Sequence, residues 1–108
     1  MTTKPEKISP QTYKNNYAQD KQSHHLIDVR DEAEYALEHI ANAHHLALDA
    51  LPTSTKTLPK DKPIIIYCRT GRRSAMAQQI LAEQGLQHTY DLGGIEDWKK
   101  AGFPTESA

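Results

Sequence analysis

The chain has one cysteine, Cys68, followed within five positions by Arg69, Arg72 and Arg73, with Gly71 among them. That composition suits nucleophilic chemistry on an anion. A free thiol titrates near ~8.5, and neighbouring cations together with a helix N-terminus lower that value and favour the thiolate. A thiolate held this way can attack, carry an additional sulfur and be stabilised as a persulfide anion. Gly71 lets the backbone bend inward without a Cβ clash. Several N–H groups then point at one spot, where they favour negative charge. A cysteine without such neighbours would read as a small, inert, buried hydrophobe. The arginine and glycine content of this loop reverses that reading.

Such a loop needs rigid elements on both sides, and the sequence supplies them. Ile64, Ile65 and Ile66 form a β-branched run that predicts a strand from Pro63 to Tyr67, buried on both faces. Ala75, Met76, Ala77, Ile80 and Leu81 keep a helical period, and Gly85 supplies its stop. Cys68 therefore falls at the carboxyl edge of a sheet, where open α/β folds bind ligands.

The rest of the chain reads as alternating helices and strands. Ser9-Pro10 opens a helix to about Ala18, and His24 to Val29 is a strand. Asp31 and Glu34 form a capping box for a helix to about Glu38. His44 to Leu48 is a short strand, and a brief helical segment from Asp49 is interrupted by Pro52 and Pro59. Thr89 to Leu92 is a strand, Gly93-Gly94 a turn, and Ile95 to Lys100 a helix that Gly102 and Pro104 terminate. This alternation predicts an α/β domain with a mainly parallel sheet spanning residues 8–104, with flexible ends at 1–7 and 105–108.

Bulk properties narrow the function. A chain of 108 residues can bury one ordinary core. A net charge of -1 argues against a general nucleic-acid binder. No apolar run is long enough to span a membrane, and the first residues do not read as a signal peptide. A lone cysteine can form no intramolecular disulfide, so a cytoplasmic setting with a reduced thiol is expected. Adjacent histidines in a strand point to opposite faces, so neither His24-His25 nor His44-His45 is expected to chelate a metal.

Three segments carry a family resemblance: Leu26-Ile27-Asp28-Val29-Arg30, Tyr67-Cys68-Arg69-Thr70-Gly71-Arg72-Arg73-Ser74, and Leu92-Gly93-Gly94-Ile95-Glu96-Asp97-Trp98. In that order and spacing the chain resembles the rhodanese family from about Ile8 to Pro104. The resemblance implies a rhodanese-like three-layer α/β domain, with a central, mainly parallel five-stranded sheet flanked by helices. It also implies sulfur transfer in two steps. A small anionic donor such as thiosulfate gives its outer sulfur to Cys68, and the persulfide passes it to cyanide or another thiophilic acceptor. By the same resemblance Arg69, Thr70, Gly71, Arg72, Arg73 and Ser74 bind the substrate anion, with Arg69 and Arg73 leading, and no cofactor is expected.

Related phosphatases of this fold use a loop one residue longer. Four residues separate Cys68 from Arg73, and this shorter cradle fits a sulfur atom better than a phosphoryl group. A sulfur-relay module, taking persulfide sulfur from a partner protein, would use the same loop. A non-catalytic interaction domain fits poorly with an intact Cys68 and three loop arginines.

Asp28 and Arg30 lie at a strand end near the loop. They either support the site from behind or fix the strand-helix corner through an ion pair such as Arg30 with Glu34. Ile95 and Trp98 are expected to pack the last helix onto the sheet, with Glu96, Asp97, Lys99 and Lys100 as its solvated face. Family members usually carry Gly-His-Ile-Pro-Gly-Ala where this chain has Glu38-His39-Ile40-Ala41-Asn42-Ala43. Asn42 can replace the second glycine only by adopting a positive φ.

Overall fold

A computed structural model of the chain describes residues 6–54, 58 and 60–107. The expected helical break at Pro59 and the expected flexibility of residues 1–5 and 108 lie outside them. In chain order the elements are β1 (Glu6–Lys7), α1 (Pro10–Asn16), β2 (His25–Asp28), α2 (Glu32–Leu37) and β3 (His44–His45). A 3-10 turn (Leu48–Ala50) then leads into α3 (Leu51–Ser54), β4 (Ile64–Cys68), α4 (Arg72–Glu83), β5 (Thr89–Gly94) and α5 (Ile95–Lys100).

The strands form one parallel sheet in the order β1-β5-β4-β2-β3. All five residues of β4 are buried, because it pairs on both sides and is covered on both faces. Its side chains divide between two cores. Ile65 and Tyr67 join Leu26, Tyr13, Leu92, Ile95 and Trp98 on one face. Ile64, Ile66 and Cys68 join Ile27, Leu51, Ala77 and Leu81 on the other. Burying each isoleucine contributes on the order of 2 kcal/mol, so β4 is a stiff mount for the residue at its carboxyl end.

From β4 the chain crosses to β5 on one side, and from β2 it crosses to β3 on the other. The carboxyl ends of β2 and β4 therefore flank a topological switch point, the usual ligand crevice of such sheets. Asp28 and Cys68 are the last residues of those two strands.

Local signals set most boundaries. Ser9 caps α1, its side chain accepting from the Thr12 N–H at 3.1 Å, and Pro10 follows as the first helical residue. The Asp31–Glu34 capping box on α2 is complete. Asn42 takes φ +70°, filling the turn position of the missing glycine. Two boundaries move. Glu6–Lys7 pairs with Tyr90 and Asp91, so the sheet starts inside the segment expected to be flexible. At the other end Glu106 bridges His39, through N–H to O bonds of 2.8 and 2.9 Å, past the expected limit at residue 104. β3 is also shorter than expected, because its partner β2 ends at Asp28 and its regular ladder ends with it.

Candidate active site

Cys68 is the last residue of β4, and its side chain points toward α4 within the second core. The chain then turns through Arg69, Thr70 and Gly71 into the N-terminus of the 12-residue α4. Gly71 holds φ +103°, a conformation that a Cβ would strain. In it the Gly71 N–H donates to Cys68 Sγ at 3.0 Å. On the other side the thiol lies 3.5 Å from Ser74 Oγ, and that hydroxyl donates to the Gly71 carbonyl at 3.1 Å. The backbone N–H groups of Arg72, Arg73 and Ser74 belong to the first turn of α4, where no intrahelical acceptor exists. The sulfur thus sits in a cradle of donors at the positive end of a helix dipole.

The three arginines of the loop differ in their partners. Arg73 forms a two-point bridge with Glu34 on α2, with N–O distances of 2.7 and 3.1 Å. Arg69 is largely exposed and meets Glu96 at 3.3 Å. Arg72 is exposed, and among the described residues no hydrogen bond or ion pair holds its side chain. Glu34 was not read from the sequence as part of this assembly, and no local pattern could have shown it, since it lies 39 positions from Arg73. The same carboxylate closes the capping box of α2, so one residue ties the starts of α2 and α4 together over the sheet edge.

That geometry has a pH signature. The Arg73 guanidinium beside it, helped by the Asp31 N–H, pulls the Glu34 carboxyl down to about 2 against the opposing effect of burial. A depressed carboxylate stabilises the fold above its unfolded value of about 4.5 and loses that contribution as pH falls toward 2. The pair is partly exposed, so a gain of only about 1 kcal/mol over Glu34→Gln is expected at neutral pH. Urea denaturation of the two proteins should show this gap narrowing as pH falls from about 5 toward 2.

A second close fit shapes the loop. Between Ile66 and Tyr67 the register with β5 slips by one residue, so that Tyr67 faces Gly93 and Cys68 faces Gly94. A Cβ on Gly94 would stand 2.3 Å from the Arg69 carbonyl oxygen and 2.7 Å from Thr70 Cα. The motif around Gly94 was legible in the sequence. Its use, as the floor on which the cysteine loop rests, was not.

Asp28 and Arg30 pair with each other rather than with the loop. Asp28 Oδ2 accepts from an Arg30 guanidinium nitrogen at 2.7 Å, and Oδ1 accepts from the Arg30 N–H at 2.9 Å. Arg30 also donates to the Glu38 carbonyl and lies 5.8 Å from the Tyr67 ring centre. The expected alternative, Arg30 with Glu34, is not formed, because α2 turns Glu34 toward α4. Ile95 and Trp98 pack the last helix in the first core as expected.

A strand-end cysteine thus lies in a helix-start cradle of donors at the edge of this parallel sheet. The Rhodanese-like domain model matches residues 9–101, and the chain belongs to that family, whose activity class is sulfur transfer. It is 44% identical over 84 residues to a thiosulfate sulfurtransferase GlpE of Coxiella burnetii, covering 77% of this chain and 78% of that protein. It is 34% identical to a thiosulfate sulfurtransferase GlpE of Vibrio cholerae, covering 78% and 80%. Among solved structures it resembles a rhodanese-related protein of Thermoplasma volcanium (TM-score 0.83, 28% identity, 95% of this chain and 99% of that one). A rhodanese of E. coli with anions also matches (TM-score 0.67, 31% identity, 79% and 99%). No helix of the described residues is long and apolar enough to cross a membrane.

Proposed function

We propose that the protein moves sulfane sulfur from thiosulfate or a similar small anion, through a persulfide on Cys68, to a thiophilic acceptor. The observation that carries this reading is the Gly71 N–H at 3.0 Å from Cys68 Sγ, set at the start of α4. The thiolate attacks the outer sulfur of thiosulfate. A new S–S bond forms, the old one breaks, and sulfite leaves with the bonding electron pair. The acceptor, cyanide in an assay, then attacks the outer sulfur of the persulfide, and thiocyanate departs as the Cys68 thiolate returns. Splitting one transfer into two easier displacements is the gain of covalent catalysis.

Each loop group has a part in these steps. In the thiol form Cys68 can donate to Ser74 Oγ while Ser74 donates to the Gly71 carbonyl. Loss of the thiol proton frees the Ser74 hydroxyl to turn and donate to sulfur instead, a charge-assisted and stronger bond. Arg72 is the uncommitted cation for the sulfonate oxygens. The exposed Arg69–Glu96 pair is worth little and can open to add a second. Arg73 acts as a positioning residue through Glu34, and Thr70 lines the rim.

Steady-state thiocyanate formation from thiosulfate and cyanide tests the reading, together with mass spectrometry of the protein after thiosulfate alone. Saturable turnover and a gain of one sulfur are expected. Neither occurring would overturn it. The Gly94 contact adds a second check. Gly94→Ala keeps an allowed backbone (φ -107°) but drives a methyl into the Arg69 carbonyl. Relieving such overpacking costs about 1–3 kcal/mol. The displaced loop should lower kcat/KM at least ~10-fold, since small misplacements of reacting groups are expensive. Unchanged turnover would show that the loop does not depend on this floor.

A further inference from the structure

Far from Cys68, at the amino end of β2, the structure holds a cavity of about 400 Å³ that sulfur transfer does not use. It exists because β3 covers only Ile27 and Asp28, leaving β2 uncovered on that side at His25. Three separate segments supply its walls: the α1–β2 connection with Lys21, the turn into β3 with Asn42 and His44, and the approach to β4 with Lys62. The His25 and His44 rings lie side by side, with centroids 5.4 Å apart and planes tilted by 32°. Among the described residues, no carboxylate lines the space. Among the described residues, the side-chain nitrogens of Lys21, His25, His44 and Lys62 have no hydrogen-bond or ion-pair partner.

Two ammonium groups and two imidazoles around one concavity outnumber the one carboxylate that acts on His25, that of Asp61 beside Lys62, and leave a local positive potential. The sheet brings together two histidines from different strands, which adjacency in sequence does not reveal. We propose that this cavity is a second anion site, for a small organic phosphate, that tightens as His25 takes up a proton. The volume of about 400 Å³ falls within the range of small-molecule pockets, so the concavity has room for a ligand larger than a five-atom oxyanion. The lysines provide fixed charge, and the Asn42 side-chain amide provides a neutral donor.

The charged surroundings set the sign of the pH dependence. His25 faces His44 from β3 and Lys62 and Asp61 from the approach to β4, with His24 just before it in the connection from α1. Burial first, then His44 and Lys62, lower its pKa, with Asp61 opposing. Asp20 acts on His24, whose ring nitrogens are engaged by Tyr13 and Ser23. A free cavity therefore disfavours the protonated form of His25, and a bound phosphate reverses that preference. Affinity must rise as pH falls through the histidine range.

Amide-shift titration of the full chain with inorganic pyrophosphate, at about pH 6 and about pH 8, tests this. Saturable shifts centred on His25, Asn42, His44 and Lys62 are expected, with apparent affinity at least ~5-fold higher at the lower pH. Lys62→Glu with His44→Gln should weaken binding at least ~10-fold while leaving thiocyanate formation unchanged. Shifts scattered over the surface lysines, shifts confined to the Cys68 loop, or equal affinity at both pH values would overturn the proposal. So would a saturable response to Zn²⁺ at His25 and His44 with none to pyrophosphate. The readout is binding, so loss of the sulfur-transfer reading would leave its outcome unaffected.

Discussion

Cys68→Ser is expected to reduce thiocyanate formation by roughly a thousandfold or more, the scale seen when a covalent nucleophile is removed. A serine hydroxyl is far less acidic than a thiol, and an oxygen at this position cannot carry the transferred sulfur as a persulfide. The same substitution should leave the fold nearly intact. Ser is smaller by little, and at the buried Cys68 position its hydroxyl finds the Gly71 N–H and Ser74 Oγ already placed as partners. A change in stability within about 1 kcal/mol is expected for a buried hydroxyl that is satisfied. Turnover and protein mass after thiosulfate should fail together while urea denaturation stays unmoved. Turnover surviving in the serine protein would place the chemistry elsewhere.

Asp28→Ala should produce the largest loss of stability, on the order of 3–5 kcal/mol, because it strands a buried guanidinium. Arg30 is only 4% exposed, and Asp28 is fully buried. Burial pushes the Arg30 guanidinium toward its neutral form, and the Asp28 hydrogen bond and charge outweigh that push. Without the carboxylate, the Glu38 carbonyl, the Tyr67 ring and the more distant Glu34 charge remain to it among the described residues. Removing both charges, as in Asp28→Ala with Arg30→Met, should be less damaging than Asp28→Ala alone. Denaturation midpoints of wild type, both single variants and the double variant check this. A single variant within 1 kcal/mol of wild type would mean that water reaches the pair.

The same pair shows where sequence reading stops. Arg30 has four carboxylates within four positions, among them Asp28 two positions before it and Glu34 four positions after it. Local spacing favours neither. The choice is made by α2, whose capping box turns Glu34 away toward Arg73, a residue brought close only by the sheet order. The triple isoleucine of β4, the cysteine loop and the capping box were readable because each is encoded within a few positions. β1 is two exposed residues with no apolar pattern, and only its pairing with β5 makes it a strand. The return of Glu106 to His39 and the seat that Gly94 gives Arg69 are likewise products of long-range packing.

The unequal pairing of the three arginines also bears on how a donor arrives. Arg73 is largely cancelled by Glu34, and Arg69 is partly offset by Glu96, so the far field over Cys68 rests chiefly on Arg72. Screening confines such a field to about 8 Å at physiological ionic strength. A dianion is therefore not drawn in from a distance. It must diffuse almost to contact before the cradle acts on it, so capture follows the local concentration of donor more than long-range attraction.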